Sequence, residues 1–201
     1  MIVDLGTGDG RAALARASRE PGALVIGIDA NASGMAESSR RAARSRADRG
    51  TANAIFLVEA AEALPGPLAQ TADLVTITMP WGSLLRGVIG LDEDALRGVA
   101  SIVRPGGRVE ILVSVVPADH VAGLASLELA TEGAIAAAWR SVGFDLDAMR
   151  RASADDLRAT RSSWARRLGD RPVWRLGLCR VGPGGDAGVS RAGPRWATLA
   201  S

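Results

Sequence analysis

Ile2-Val3-Asp4-Leu5-Gly6-Thr7-Gly8-Asp9-Gly10 is the stretch that decides the fold. A short apolar strand carrying one acid runs directly into a turn of three glycines, and residues 11–18 read as the helix that follows. Glycines at a strand-to-helix turn let the backbone approach a ligand closely. The strict dinucleotide fingerprint is Gly-x-Gly-x-x-Gly, whereas this chain has Gly-x-Gly-x-Gly with Asp4 two residues ahead. That form suits S-adenosylmethionine, which has no pyrophosphate and carries an ammonium for Asp4 to pair with. Leu24-Val25-Ile26-Gly27-Ile28 reads as a second buried strand closing on Asp29. An acid at roughly that spacing, about twenty residues on, grips ribose hydroxyls. An ordinary tight turn would require neither acid.

Outward from the turn the alternation continues. A helix rich in Arg, Ala and Ser is expected over 33–48, then strands over 55–58 and 74–79. Asp92 reads as the N-cap of a helix to residue 103, closed by Arg104-Pro105-Gly106-Gly107, and 108–116 as a β-branched strand. Residues 131–142 are expected as a helix with Gly143 just past its end. Ser153 and Asp156 form a capping-box pattern opening a helix to residue 168, and 173–181 alternates as a last strand. Strands alternating with helices predict an α/β protein with a mainly parallel sheet covered on both faces.

At 201 residues the chain is most simply one domain with a sizeable core. No apolar run reaches bilayer length, and Met1 leads straight into a strand without a secretory signal pattern. One cysteine, Cys179, excludes an internal disulfide framework and suggests a reducing cytoplasm. His120 stands alone, which gives little support to a histidine metal cluster or a Ser-His-Asp triad. Net charge is +2, yet all 24 basic residues are arginine. A GC-rich genome yields that bias; guanidinium groups also suit bidentate phosphate contacts and stacking.

Met79-Pro80-Trp81-Gly82-Ser83 follows the fourth strand, where open α/β sheets bind ligands. Trp81 reads either as a packed indole or as a shelf for a flat substrate, and its place at a strand end favours the shelf. Ala61 and Glu62 follow the third strand and read as an adenine-pocket wall, or Glu62 as a surface acid. Leu157, Trp164 and Leu168 share a helical face, so periodicity alone makes Trp164 core. Arg161, Arg166, Arg167 and Arg171 crowd around it, however, and aromatics interleaved with arginine are what a splayed-out RNA base would meet. Arg40, Arg41, Arg44, Arg46 and Arg49 form either a solvated face with a Glu37–Arg41 pair or a phosphate-binding patch.

These residues, in this order, resemble the 16S ribosomal RNA methyltransferases that modify N1 of adenosine 1408, the kanamycin–apramycin resistance family. The matching blocks are 4–10, Ile28-Asp29, Ala61-Glu62-Ala63-Leu64-Pro65, 79–87 and 162–168, spanning nearly the whole chain to about residue 181. The resemblance implies a class I S-adenosylmethionine-dependent methyltransferase fold (Rossmann-like), with a seven-stranded, mostly parallel sheet whose last strand is antiparallel. It implies that Asp4, Gly6, Thr7, Gly8, Asp29, Ala30, Ala61, Glu62, Met79 and Ser83 bind S-adenosylmethionine. Trp81 and Trp164 then look like the pair that sandwiches the flipped adenine, with Ser162 helping to hold Trp164 and the base; this reverses the core reading of Trp164. Arg166, Arg167 and Arg171 resemble rRNA-backbone contacts, and Arg40, Arg41 and Arg44 the patch that docks on the 30S subunit.

Family members carry a segment before the first strand, usually a β-hairpin, and here three residues precede Asp4. The expected organisation is a methyltransferase domain over 1–181 lacking that segment, and a disordered low-complexity tail over 182–201 in which Trp196 is the one candidate for docking. The implied activity is methylation of adenosine 1408 in the assembled 30S subunit, giving aminoglycoside resistance, by a cytoplasmic monomer with no metal and no membrane contact. Two rivals stand beside it: a methyltransferase for a small aromatic molecule, and an inactive 30S-binding homologue.

Overall fold

The structure is a computed structural model and describes residues 1–44, 51–160 and 170–182. The described chain runs β1 (Ile2–Leu5), α1 (Arg11–Arg19), β2 (Val25–Asp29), α2 (Ala32–Ala42), β3 (Ala54–Val58), β4 (Ala72–Thr78), α3 (Gly82–Val88), α4 (Glu93–Ile102), β5 (Val103–Val113), α5 (Glu132–Ser141), β6 (Phe144–Arg151), α6 (Ala154–Thr160) and β7 (Trp174–Arg180). The seven strands form one sheet in the order β3-β2-β1-β4-β5-β7-β6. The first five pair in parallel, and β7 is antiparallel to both β5 and β6. This is the seven-stranded, mostly parallel sheet with an antiparallel last strand that the resemblance implied.

The order reverses between β1 and β4: β2 and β3 lie to one side and β5 to the other. A crevice opens at such a switch point, outside the carboxyl ends of the strands. Alternation along the strands shows the two covered faces. Ile2 and Val25 pack with Ala13, Leu14 and Ala17 of α1. Their neighbours Val3, Leu5, Ile26 and Ile28 pack with Leu85, Leu96, Val99 and Trp139 of α3, α4 and α5. Trp139 is fully buried, stands edge-on to Phe144 at 5.3 Å, and donates its indole N–H to the Val88 carbonyl at 3.0 Å.

Several boundaries differ from the sequence expectation. β4 begins at Ala72, because the register with β5 shifts between Ala72 and Leu74. For the same reason β5 begins at Val103, and Arg104-Pro105-Gly106-Gly107 is a bulge inside that strand rather than a turn before it. β6 was not anticipated from the sequence: it is an edge strand, half charged and half apolar, whose register shifts between Leu146 and Ala148 and so breaks its period of two midway. α3 was likewise unanticipated. Asp92 does cap α4, accepting from Ala95 N at 3.1 Å. The Ser153–Asp156 box also forms, Ser153 N donating to Asp156 at 2.7 Å and Asp156 N to Ser153 Oγ at 3.1 Å. α2 ends at Ala42, short of the expected residue 48, with Ala43 as its C-cap; residues 45–48, the expected extension of α6 to residue 168 and nearly all of the expected tail lie outside the described residues.

Candidate functional site

The glycine turn hangs on the end of β2. Gly6 and Thr7 N–H groups donate to the Ile28 carbonyl at 2.8 and 3.0 Å. Gly6, Gly8 and Gly10 all have φ between 61° and 73°, a left-handed conformation that side chains resist. Asp29 completes the stitching: one oxygen accepts from Gly8 N and the other from Asn31 N, both at 2.8 Å. Each carboxylate oxygen has two lone-pair sites, so Asp29 keeps acceptor capacity for a ligand hydroxyl.

Asp4 sits behind the turn and is only 8% exposed. Thr7 Oγ1 donates to one oxygen at 2.6 Å and Thr76 Oγ1 to the other at 2.9 Å. Burial pushes its carboxyl above the ordinary range, against the pull of those two hydroxyls. Among the described residues its hydrogen-bond donors are two neutral hydroxyls and no cation. A buried carboxylate so placed is complemented by a ligand ammonium, which is the group S-adenosylmethionine would bring.

These groups face a cleft of about 370 Å³, a size typical of cofactor sites. Asp4, Gly6, Thr7, Gly8, Asp29, Ala30, Ala61, Met79 and Ser83 line it, as does Trp81. Glu62 does not. A single turn of 3-10 helix begins at Ala61, burying that residue and turning Glu62 out to solvent. Glu59, two residues upstream of Ala61, lines the cleft in its place.

At the mouth, Met79 turns sharply with φ 53°, its N–H held by the Leu112 carbonyl at 2.7 Å and its side chain packed on Leu112 and Val173. A left-handed non-glycine residue costs on the order of 1–3 kcal/mol, and such strain gathers at working sites. The turn delivers Trp81 as the extended residue that opens α3, with 51% of its surface exposed. The indole therefore stands partly exposed on the cleft lining and is not part of the core.

Ser162, Trp164, Arg166 and Arg167 lie outside the described residues, as do Arg46 and Arg49. Arg40, Arg41 and Arg44 are exposed at the end of α2 and just beyond it. Glu37 pairs with Arg40 at 2.8 Å rather than with Arg41, and that guanidinium lowers its carboxyl pKa. Arg171 differs from the expectation of an RNA contact. Its guanidinium is turned inward onto the buried carboxylate of Asp119, which also accepts from Val116 N at 3.0 Å. The partner lies 52 residues away, so only the fold brings the two together.

Comparison with known proteins follows the same lines. Residues 1–173 match the family model described as NpmA: 16S rRNA (adenine(1408)-N(1))-methyltransferase. The 16S rRNA (adenine(1408)-N(1))-methyltransferase of Streptoalloteichus hindustanus is 34% identical over 174 residues, which is 84% of this chain and 80% of that one. Among solved structures, a mutant of the 16S rRNA (adenine(1408)-N(1))-methyltransferase of Catenulisporales acidiphilia with its cosubstrate SAM superposes with a TM-score of 0.82. It is 33% identical, covering 92% of this chain and 87% of that one. An aminoglycoside resistance methyltransferase superposes with a TM-score of 0.72 at 35% identity, covering 90% and 86%. The glycine turn, the cleft at the β1–β4 switch point and the extent of these matches agree: the chain belongs to the 16S rRNA (adenine(1408)-N(1))-methyltransferase family.

Proposed function

We propose that this protein methylates N1 of adenosine 1408 in the 16S rRNA of the assembled 30S subunit, giving aminoglycoside resistance. It acts as a cytoplasmic monomer with S-adenosylmethionine as cosubstrate and no metal. The observation that carries this reading is one cleft with two ends, a buried acid at the floor and a half-exposed indole at the mouth. Among the described residues no helix is long and apolar enough to cross a membrane.

When bound, S-adenosylmethionine supplies an electrophilic methyl carbon that adenine N1, with a lone pair and no proton, attacks in line with the carbon–sulfur bond. The chain therefore has to align rather than deprotonate. Asp4 holds the ammonium, Asp29 the ribose hydroxyls, and Ala30 and Ala61 bound the adenine end, with the glycine turn allowing close approach. In helical RNA the target base is stacked, and flipping it out costs a few kcal/mol. Trp81 supplies one stacking face; Trp164 is the proposed second face, with Ser162 beside it. Arg40, Arg41 and Arg44 dock on the rRNA surface, joined by Arg166 and Arg167, whereas Arg171 braces the protein through Asp119.

Primer extension on 30S subunits treated with enzyme and S-adenosylmethionine tests the proposal. A strong stop at adenosine 1408 is expected. A stop elsewhere, or none while the protein binds S-adenosylmethionine, overturns it in favour of a small aromatic substrate or an inactive homologue.

A further inference from the structure

The Asp4 carboxylate is a partition between two cavities. One is the cleft just described; the other is a smaller cavity behind it, under α1 and α6, and Asp4, Ala12 and Thr78 line both. Thr76 lines only the rear cavity. It lies directly across from Asp4 in the parallel β1–β4 register, and its hydroxyl holds one carboxylate oxygen from the side away from the cofactor. Thr7 holds the other oxygen from the glycine turn. Two of the four acceptor sites on the carboxylate are thus fixed, which sets the rotation of the group and leaves one site on each oxygen for a ligand.

We propose that Thr76 is a positioning residue for S-adenosylmethionine: without touching the cofactor, it aims the Asp4 carboxylate at the ammonium. The inference rests on the cosubstrate proposed above. A threonine merely satisfying its own hydroxyl inside a strand would do so on any backbone carbonyl. This one instead spends its hydrogen bond on a buried charge, where such bonds are strongest. It also draws the Asp4 carboxyl down against burial, as Thr7 does. The charged groups around Asp4 are Arg16 of α1, which favours its ionised form, and Asp29 of β2, which opposes it. Arg19, Glu110, Asp156 and Arg175 face it across the rear cavity.

Calorimetric titration of the full chain with S-adenosylmethionine and with 5′-methylthioadenosine, which lacks the amino-acid end, tests this. In Thr76→Val the Kd for S-adenosylmethionine should rise about tenfold, the effect of one hydrogen bond to a charged group. The Kd for methylthioadenosine should stay put, and Thr76→Ser should restore the wild-type value for S-adenosylmethionine. Affinity should fall on the acid side as Asp4 takes up a proton. That fall should begin at higher pH in Thr76→Val, which has lost a bond that lowers the Asp4 pKa. Equal weakening of both ligands, or an unchanged pH profile, overturns the assignment as a packing effect. Wild-type protein that binds neither ligand overturns the cosubstrate reading and this inference together.

Discussion

Trp81→Ala separates a stacking shelf from a structural indole, and the structure sets the size of the effect. A tryptophan buries about 150–250 Å² when fully covered. Trp81 keeps 51% of its surface exposed, so a stacked base can cover roughly 100 Å² more. At about 25 cal/mol per Å² that is about 2.5 kcal/mol, inside the range of roughly 1–3 kcal/mol for a base on an aromatic face. Truncation should therefore lower kcat/KM for 30S subunits roughly 70-fold. Trp81→Phe, which keeps a smaller ring, should fall between the two. The assay is the initial rate of tritiated methyl transfer at subsaturating 30S, with S-adenosylmethionine Kd and Tm measured on the same preparations. Both controls should hold, because the lost surface was already half in water and Asp4 and Asp29, the proposed cofactor ligands, lie on other elements. A kcat/KM within threefold of wild type, or a parallel loss of cofactor affinity, would refute the base-stacking role.

Two further outcomes follow from buried contacts. In Asp156→Asn the loss concerns a carboxylate that accepts from Arg150, Arg175 and Ser153 and is 6% exposed, its pKa held well below the usual range by Arg150 foremost. A depressed carboxylate stabilises above its unfolded pKa and loses that contribution as pH falls toward its folded pKa. Unfolding titrations should thus show a deficit of about 2 kcal/mol at pH 7, moderated by the partly exposed Arg150, that narrows below about pH 4; a deficit independent of pH would refute the ionic account. In Gly98→Ala a Cβ would stand 1.8 Å from the Ala61 carbonyl oxygen, so the close seat of α4 on the cleft wall has to open. Helix propensity alone would favour alanine by about 1 kcal/mol, but overpacking costs about 1–3 kcal/mol. A lower Tm together with weaker S-adenosylmethionine binding is expected, and a raised Tm would show that the contact yields freely.

The cofactor half of the site was legible because its chemistry is local. The three left-handed glycines are demanded by the turn itself, and the two acids, one inside β1 and one closing β2, line the same cleft as their spacing along the chain suggests. What escaped was set by contacts distant in sequence or by short-range geometry. Thr76 is one β-branched residue in an apolar run, indistinguishable from strand filler until its neighbour across the sheet is Asp4. Glu59 and Glu62 are the same residue type three positions apart, and a three-residue turn decides which of them lines the cleft. Arg171 reads as a surface cation until Asp119 is placed beside it. The edge strand β6 alternates only over Phe144–Asp147, because its register slips between Leu146 and Ala148 and breaks the period of two.

The two ends of the cleft rest on different terms, and that difference is itself a constraint on the enzyme. The proposed cofactor end is assembled in the free protein: one backbone N–H fixes each oxygen of Asp29, one hydroxyl fixes each oxygen of Asp4, an acceptor site stays open on every one of those oxygens, and Ala61 packs closely under α4. The proposed base end presents a half-exposed indole following a strained Met79. Those features cost stability in a protein whose total margin is of the order of 5–15 kcal/mol, and on the proposed function stacking of a base on the indole offsets part of that cost. Substitutions at the cofactor end should therefore move Tm and Kd together, whereas those at the mouth should move the rate alone. Gly98→Ala and Trp81→Ala probe opposite ends and share no contact partner given above, so their effects should add when combined. Marked non-additivity would mean that the α4–Ala61 wall also sets where Trp81 stands, and the division between a preformed cofactor site and an unfinished base site would have to be abandoned.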